Sequence, residues 1–196
     1  MTAAAPVDPV DRFKRWFKAA HRAGEPCPEA TALATAGPAG EVAVRFVLLK
    51  GIDTRGFVFY TDLRSRKGRD LVGNSCAALG FYWHQTGRQV RVEGTVEPLA
   101  EADADAYWAT RPVQSTISAS VSRQSAPLAN RASLVLAARS LSRRLRDRRP
   151  PRPGYWAGLR LTPLKIEFWT LKPNRLHHRE LFVANGNRWR RRLLQP

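Results

Sequence analysis

The sequence predicts a mainly β fold, an antiparallel β-barrel with peripheral helices, and two observations carry this prediction. Apolar side chains alternate with a period of two in several short segments, most clearly at residues 41–49, as in strands with one buried face. The order helix, strands, helix, strands, helix, strands also lacks the regular β-α-β alternation of a doubly wound sheet. The length of 196 residues fits one domain, which we place at residues 8–196 behind a flexible tail at residues 1–7.

The N-terminal half is predicted to begin with one amphipathic helix. Asp8 and Pro9 mark its start, because Asp is a common N-cap and Pro is favoured at the first helical position. Gly24 is predicted to end it. The segments that follow are predicted as strands 31–36 and 41–49, a hairpin connection at 51–56, a return strand at 57–61, a helix at 65–72, and a hairpin of strands 77–83 and 88–96.

The C-terminal half alternates between helices and strands in the same way. A helix at 101–110 should stop at Arg111, because a residue that precedes Pro avoids the helical conformation. The remaining segments are predicted as a Ser-rich loop at 115–125, a basic helix at 130–148, strands at 155–161, 164–170 and 178–184, a turn at 185–187, and a closing strand at 189–194.

The charge is unusual for a globular domain. Thirty-three Lys and Arg against 16 Asp and Glu give a net charge of +17, which attracts polyanions or simply forms a solvated surface. The chain lacks the apolar run of about 18 residues that a membrane span needs, and its first residues do not resemble a secretory signal. With two distant cysteines and four histidines without ligand spacing, we expect a cytoplasmic protein without a metal.

Two groups of residues predict phosphate sites. Arg45 and Lys50 bracket one strand, and Ser65, Arg66 and Lys67 begin a helix, whose N-terminus attracts anions. The second group consists of Tyr107 and Arg111, which lie one helical turn apart, and of Ser115 beyond them. The sequence therefore predicts two anion-binding clusters.

Eight short sequence blocks, which include most residues of both predicted phosphate clusters, are spread along the chain. They are Arg45-Phe-Val-Leu-Leu-Lys50, Phe59-Tyr-Thr61, Ser65-Arg-Lys67, Arg88-Gln-Val-Arg-Val-Glu-Gly94, Tyr107-x3-Arg111-Pro112, Ser122-Arg-Gln-Ser125, Glu167-Phe-Trp169 and Arg175-Leu-His177-x-Arg179. In this order they resemble the pyridoxamine 5'-phosphate oxidase family, and the resemblance runs from about residue 8 to the end of the chain. One departure is His178, where the family commonly has Asp.

The resemblance implies a split β-barrel homodimer with FMN at the subunit interface and residues of both chains at each site. The FMN contacts it implies are Arg45, Lys50, Tyr60, Thr61, Arg66, Lys67, Gln89, Gln124, Ser125, Trp169 and Arg179. The substrate phosphate would be held by Lys50, Tyr107, Arg111 and Ser115. The catalytic residues would be Arg175 and His177, which would also bind the pyridine ring of the substrate.

The implied reaction is the oxidation of pyridoxamine 5'-phosphate or pyridoxine 5'-phosphate to pyridoxal 5'-phosphate. A hydride would pass to the flavin, and O2 would reoxidise it with formation of H2O2. One alternative is a related flavin oxidase of phenazine biosynthesis with a larger aromatic substrate. Two others are a non-catalytic flavin or pyridoxal-phosphate carrier and a nucleic-acid-binding protein, although no dedicated nucleic-acid module is recognisable in the sequence.

Overall fold

Nine antiparallel strands form one curled sheet within residues 8–186 and 188–196, the part of the chain that this computed structural model describes. The flexible tail predicted at residues 1–7 lies outside the described residues. The strands are β1 (Ala30–Ala36), β2 (Val42–Leu48), β3 (Gly51–Ile52), β4 (Phe57–Asp62), β5 (Cys76–Trp83), β6 (Arg88–Pro98), β7 (Trp156–Thr170), β8 (His178–Asn185) and β9 (Arg188–Leu194). The helices are α1 (Pro9–Arg22), α2 (Arg66–Gly73), α3 (Glu101–Thr110), α4 (Val113–Val121) and α5 (Arg131–Leu145).

The long strand β7 organises the sheet. The strand order is β2-β1-β5-β6-β7-β4-β3, and β8 and β9 branch from β7. The first part of β7 pairs with β4, its last part pairs with β8, and β6 runs along most of its length. The sheet curls into a half-barrel with peripheral helices, which confirms the predicted fold class.

Helix α1 closes the barrel as its sequence predicts. The Asp8 carboxylate accepts a hydrogen bond from the Val10 backbone N–H at 2.7 Å and caps the helix. Phe13 is fully buried, with its ring 4.8 Å from that of Phe57 and 4.9 Å from that of Phe81. These edge-to-face contacts anchor the helix in the core.

Three predicted segments are wrong in part, for local reasons. Residues 57–61 are a strand, but they pair with β7 and with the two-residue β3, while β2 pairs with β1, so the turn at 53–56 joins only β3 and β4. The strands predicted at 155–161 and 164–170 are one continuous strand, β7. Pro163 does not interrupt it, because this residue, which has no N–H, lies opposite Gly94 at a register shift, where the sheet tolerates a missing donor. The loop predicted at 115–125 contains α4, whose Ser120 and Thr116 hydroxyls bond to backbone carbonyls of the same helix.

The other predicted elements are confirmed to within a few residues. Helix α5 corresponds to the basic segment, and its arginines are exposed to solvent. In the described part of the chain, every helix is too short or too polar to cross a membrane. The cytoplasmic location stays a prediction.

Candidate active site

A cleft of about 210 Å³ lies between β2, β4, α2 and α3, and we call it the cationic cleft. Its lining consists of Phe46, Val47, Leu48, Lys50, Tyr60, Thr61, Lys67, Tyr107, Arg111, Gln124 and Trp156. Seven of the predicted site residues thus meet in one place, although they come from five separate stretches of sequence. Trp156 lines the cleft although it was not a predicted site residue, because sequence patterns place it only at the start of a strand.

Lys67 lies at the bottom of this cleft and is 7% exposed. Its ammonium donates hydrogen bonds to Gln124 Oε1 at 2.6 Å, Thr61 Oγ1 at 3.1 Å and Ser65 Oγ at 3.2 Å, all neutral oxygens. Its pKa is lowered from 10.5 to about 8, mainly by burial and also by the nearby positive charge of Arg45, while Asp62 opposes this shift. A buried ammonium with neutral partners is a site for an anion.

Arg45 is anchored behind this lysine. Its guanidinium donates to Thr35 Oγ1 at 2.7 Å and lies 3.5 Å from the Asp70 carboxylate, which also accepts from Thr35 at 2.6 Å. Burial lowers the Arg45 pKa, Asp70 opposes this, and Arg66 adds a like charge. Arg66 is exposed at the N-terminus of α2, whose cap is the Ser65 hydroxyl. The predicted cluster at this helix start is therefore assembled, and its support by Asp70 was not predictable from any sequence pattern.

The opposite wall of the cationic cleft is aromatic. The Tyr60 and Tyr107 rings stack at 4.0 Å between centroids, and Trp156 lies nearly parallel to both. Burial raises the pKa of both tyrosines, so they stay protonated and can donate hydrogen bonds. Gly158 pairs with Tyr60, and a Cβ there would lie 2.7 Å from the Tyr60 ring, so only glycine lets that ring lie across β7.

Arg111 follows α3 and reaches into the same cleft. Its Nη1 is buried, and among the described residues no group accepts a hydrogen bond from it. Burial lowers its pKa, and the neighbouring Tyr107 opposes this shift. Ser115 lies half-buried in the first turn of α4, one helical turn beyond Pro112. Helix α4 also leads to Gln124 and Ser125, so the helix that the sequence analysis missed carries part of the site.

The remaining predicted site residues form a second group, which we call the β6–β8 cluster. Gln89, Trp169 and Arg179 line a cleft of about 200 Å³ together with Arg91 and Glu167. Arg179 Nε donates to Glu167 Oε1 at 2.7 Å, and this hydrogen bond raises the Arg179 pKa. The carboxylate thus fixes the guanidinium across two neighbouring strands.

Arg175 and His177 adjoin the β6–β8 cluster in the turn between β7 and β8. The His177 ring lies 4.5 Å from the Trp169 ring, and its Nδ1 accepts a hydrogen bond from the Lys172 backbone N–H at 3.2 Å. The neutral imidazole therefore carries its proton on Nε2. Arg175 is exposed and has a left-handed backbone conformation with φ 59°. Both residues are thus free to meet a ligand from solvent.

The two groups lie at opposite ends of β7. Tyr60 pairs with Gly158 and Gln89 pairs with Trp169, eleven residues farther along the strand. At a rise of about 3.3 Å per residue, this is roughly 35 Å of strand. Within the described residues, no three His, Cys, Asp or Glu side chains are close enough together to hold a metal ion.

Comparison with known proteins identifies the family. A family model described as pyridoxamine 5'-phosphate oxidase matches residues 17–144. A model of the pyridoxine 5'-phosphate oxidase C-terminal dimerisation region matches residues 156–196, which supports a homodimer. The chain is 50% identical to a pyridoxine/pyridoxamine 5'-phosphate oxidase of Rubrobacter xylanophilus, over 98% of this chain and 88% of that protein. It is 47% identical to one of Anaeromyxobacter dehalogenans, over 99% and 98%.

Two solved structures share the fold. PhzG from Burkholderia lata, solved in complex with tetrahydrophenazine-1-carboxylic acid, matches with a TM-score of 0.93 and 37% identity over 98% of this chain and 94% of that one. A pyridoxamine 5'-phosphate oxidase-related, FMN-binding protein from Nostoc punctiforme matches with a TM-score of 0.79 and 17% identity over 97% and 99%. The second likeness concerns the fold alone. The predicted family, enzyme class and cofactor are confirmed: this chain belongs to the pyridoxamine 5'-phosphate oxidase family and is an FMN-dependent oxidoreductase.

Proposed function

We propose that this protein oxidises pyridoxamine 5'-phosphate or pyridoxine 5'-phosphate to pyridoxal 5'-phosphate. The observation that supports this most is the cationic cleft, where the buried Lys67 and the buried Nη1 of the half-buried Arg111 have no anionic partner in hydrogen-bond contact among the described residues. The reaction needs two phosphates in one site, one on the cofactor and one on the substrate. Two cations at separate places in one cleft fit this requirement.

The residues around Lys67 fit the phosphate of FMN. Lys67 offers an ammonium with neutral neighbours, and Arg45 and Arg66 add charge at the N-terminus of α2. Thr61 and Gln124 already contact the lysine and would complete the polar shell together with Lys50, Tyr60 and Ser125. Gln89, Trp169 and Arg179 of the β6–β8 cluster would hold the rest of the cofactor.

The residues around Arg111 fit the phosphate of the substrate. Arg111 Nη1 is an unused donor, Tyr107 keeps its hydroxyl proton, and Lys50 lies exposed at the rim of the cleft. Ser115 can donate a further hydroxyl. Together they offer cationic and neutral donors to one dianion.

Both groups of site residues can meet only if a second chain contributes. The outer face of edge strand β2 exposes Val42, Val44, Phe46 and Leu48, and Phe46 and Leu48 also line the cationic cleft. We propose that the second protomer covers this apolar face and brings its β6–β8 cluster to the cationic cleft, with FMN at the interface. The match of residues 156–196 to a dimerisation region supports this arrangement.

When bound, FMN supplies the acceptor for a hydride from the substrate carbon and passes the electrons on to O2 as H2O2. The protein orients the substrate for this step. Arg175 and His177 would hold the pyridine ring from one side while Tyr107 and Arg111 fix the phosphate at its other end. His177, whose Nδ1 accepts a hydrogen bond from the Lys172 backbone N–H, would donate a hydrogen bond from Nε2–H to the substrate and so fix its orientation.

One observation favours a second candidate function. The TM-score of 0.93 to PhzG supports an oxidase of a larger aromatic substrate. The two cations without an anionic partner in contact among the described residues, Lys67 and Arg111, argue for the phosphorylated substrate, because a tricyclic carboxylic acid has no phosphate to occupy the second one.

The test is to mix the FMN-loaded protein anaerobically with pyridoxine 5'-phosphate and to follow the flavin absorbance. We expect bleaching that reverses when air is admitted. Absence of bleaching with bound flavin would contradict the proposal, and bleaching by tetrahydrophenazine-1-carboxylic acid instead would establish the second candidate.

A further inference from the structure

We infer that Trp156 is a positioning residue. It holds the Arg111 guanidinium and the Tyr107 ring where both can bind the substrate phosphate, and so makes the enzyme select phosphorylated substrates. This inference rests on the proposed function, because it takes these two residues as the substrate-phosphate site. Trp156 donates no polar group to the cationic cleft in this role and acts only through its neighbours.

Trp156 is the base of the aromatic wall. It is 5% exposed, and its ring lies 5.2 Å from that of Tyr60 with an interplanar angle of 9°. Its ring and that of Tyr107 are 6.1 Å apart at 2°, and Trp108 meets it edge-on at 4.7 Å. The rings of Tyr60, Tyr107 and Trp156 are thus nearly parallel, and this stacking leaves the Tyr107 ring little freedom to tilt.

The same indole supports Arg111 in an unusual way. The guanidinium carbon lies 4.8 Å from the Trp156 ring centroid and 5.1 Å from that of Trp108. An aromatic face attracts a guanidinium through its ring quadrupole and uses none of its N–H donors. A carboxylate partner would fix the arginine equally well, but it would neutralise the positive charge and occupy the N–H donors of the guanidinium. The indoles therefore position Arg111 and leave its charge and Nη1 for a phosphate.

Trp156 is itself fixed by the segment that leads into β7. Its backbone carbonyl accepts a hydrogen bond from Arg152 Nη1 at 2.8 Å, and Arg152 also forms a salt bridge with Asp105 of α3. Trp108 Nε1 donates to the Pro150 carbonyl at 2.9 Å. These bonds tie the segment to the helix that carries Tyr107, so the indole and the tyrosine cannot move apart independently.

The experiment compares Trp156→Leu and Trp156→Phe with the FMN-loaded parent enzyme. For pyridoxine 5'-phosphate, we expect Trp156→Leu to raise KM about tenfold with kcat within about twofold, as loss of one buried cation–π contact implies. Trp156→Phe keeps an aromatic face and should stay within about threefold of the parent. The decisive readout is unphosphorylated pyridoxine, whose kcat/KM should not change in either variant.

A matched control separates this role from a structural one. Trp83 is an equally buried indole, and its ring neighbours lie in the core away from the cleft. Trp83→Leu should lower thermal stability without a selective change in KM. If Trp156→Leu lowers kcat/KM equally for both substrates, or if Trp156→Phe fails to restore KM, Trp156 is only structural and the inference is wrong.

Failure of the proposed function gives a different signature. In that case the parent enzyme would not oxidise pyridoxine 5'-phosphate at all. The equilibrium affinity for pyridoxal 5'-phosphate, followed by its absorbance, then decides the inference on its own. We expect Trp156→Leu to weaken it about tenfold, and an unchanged affinity would overturn the positioning role.

Discussion

The cationic cleft and the β6–β8 cluster both contain arginines, but the two regions treat them differently. In the cleft, the buried Lys67 contacts neutral oxygens, and the half-buried Arg111 lies against aromatic faces. In the β6–β8 cluster, Arg179 and Arg91 both contact the buried carboxylate of Glu167. Among the described residues, Lys67 and Arg111 of the cationic cleft thus have no carboxylate in contact, whereas Glu167 neutralises arginine charge in the β6–β8 cluster.

This difference supports the proposal that the phosphates bind in the cationic cleft. A cation that is held by π faces or hydroxyls keeps its full charge for a ligand, whereas a cation paired with a carboxylate serves mainly to fix geometry. The β6–β8 cluster accordingly presents the flat ring of Trp169, the amide of Gln89 and the half-buried His177. This composition fits contact with a planar ring system better than the binding of an anion.

The largest expected effect comes from separating the two regions. Val44→Asp with Phe46→Asp places charges on the exposed apolar face of β2, so the dimer should dissociate and activity should fall more than about 100-fold. Light scattering and the oxidase assay measure both effects. Leu136→Asp on α5, another exposed apolar position, is the control. A monomer with full activity would show that one chain forms the whole site.

His177→Ala tests the β6–β8 side alone. We expect kcat to fall about 100-fold with FMN retained, because the substrate loses a group that orients it at the reacting carbon. Mixed with Arg111→Ala protomers, it should recover about a quarter of the parental activity, because half of the randomly assembled dimers then carry one intact site. Full activity of His177→Ala would remove this residue from the mechanism, and no recovery on mixing would contradict the two-chain site.

Arg111→Ala tests the cationic cleft. The loss of a buried guanidinium from the phosphate site should raise KM for pyridoxine 5'-phosphate about 50-fold and leave FMN binding unchanged. Steady-state kinetics and a flavin titration measure the two quantities. Arg148→Ala, an exposed arginine, should match the parent. An unchanged KM for Arg111→Ala would count against its phosphate role.

Lys67→Met gives the smallest effect and a pH signature. Because the pKa of Lys67 is lowered to about 8, the ammonium of the FMN-free protein loses its proton as pH rises through that value. FMN affinity should therefore fall by up to about tenfold between roughly pH 7 and 9.5 in the parent. Lys67→Met should bind FMN about tenfold more weakly at pH 7 and show a flat profile. An unchanged slope in the variant would assign the titration to another group.

The same lowered pKa has a defined effect on folding. Between pH 8 and 10.5 the unfolded chain holds the Lys67 proton and the folded FMN-free protein does not. The contribution of this lysine to the free energy of unfolding therefore rises with pH across that window, and its full penalty is present below pH 8.

Much of the site could be predicted because its residues lie in short, recognisable blocks. The helix start at Ser65–Lys67 and the pair Tyr107–Arg111 are local patterns, and the structure brings them into one cleft. The supporting residues Asp70 and Trp156 were not predictable, since their contacts depend on long-range pairing of β1, β2 and β7. Helix α4 was missed because serine favours turns, and the return of its hydroxyls to the helix backbone is not visible in a sequence.

If Lys67 binds the phosphate of FMN as proposed, its burial also links the abundance of folded protein to cofactor supply. A chain that folds before it meets FMN buries Lys67 without an anion in contact, so its native state would be weakened until FMN binds. A ligand present at 100 times its Kd adds about 2.7 kcal/mol to the stability of the native state. Cells short of riboflavin derivatives should therefore lose this protein to proteolysis as well as leave it inactive.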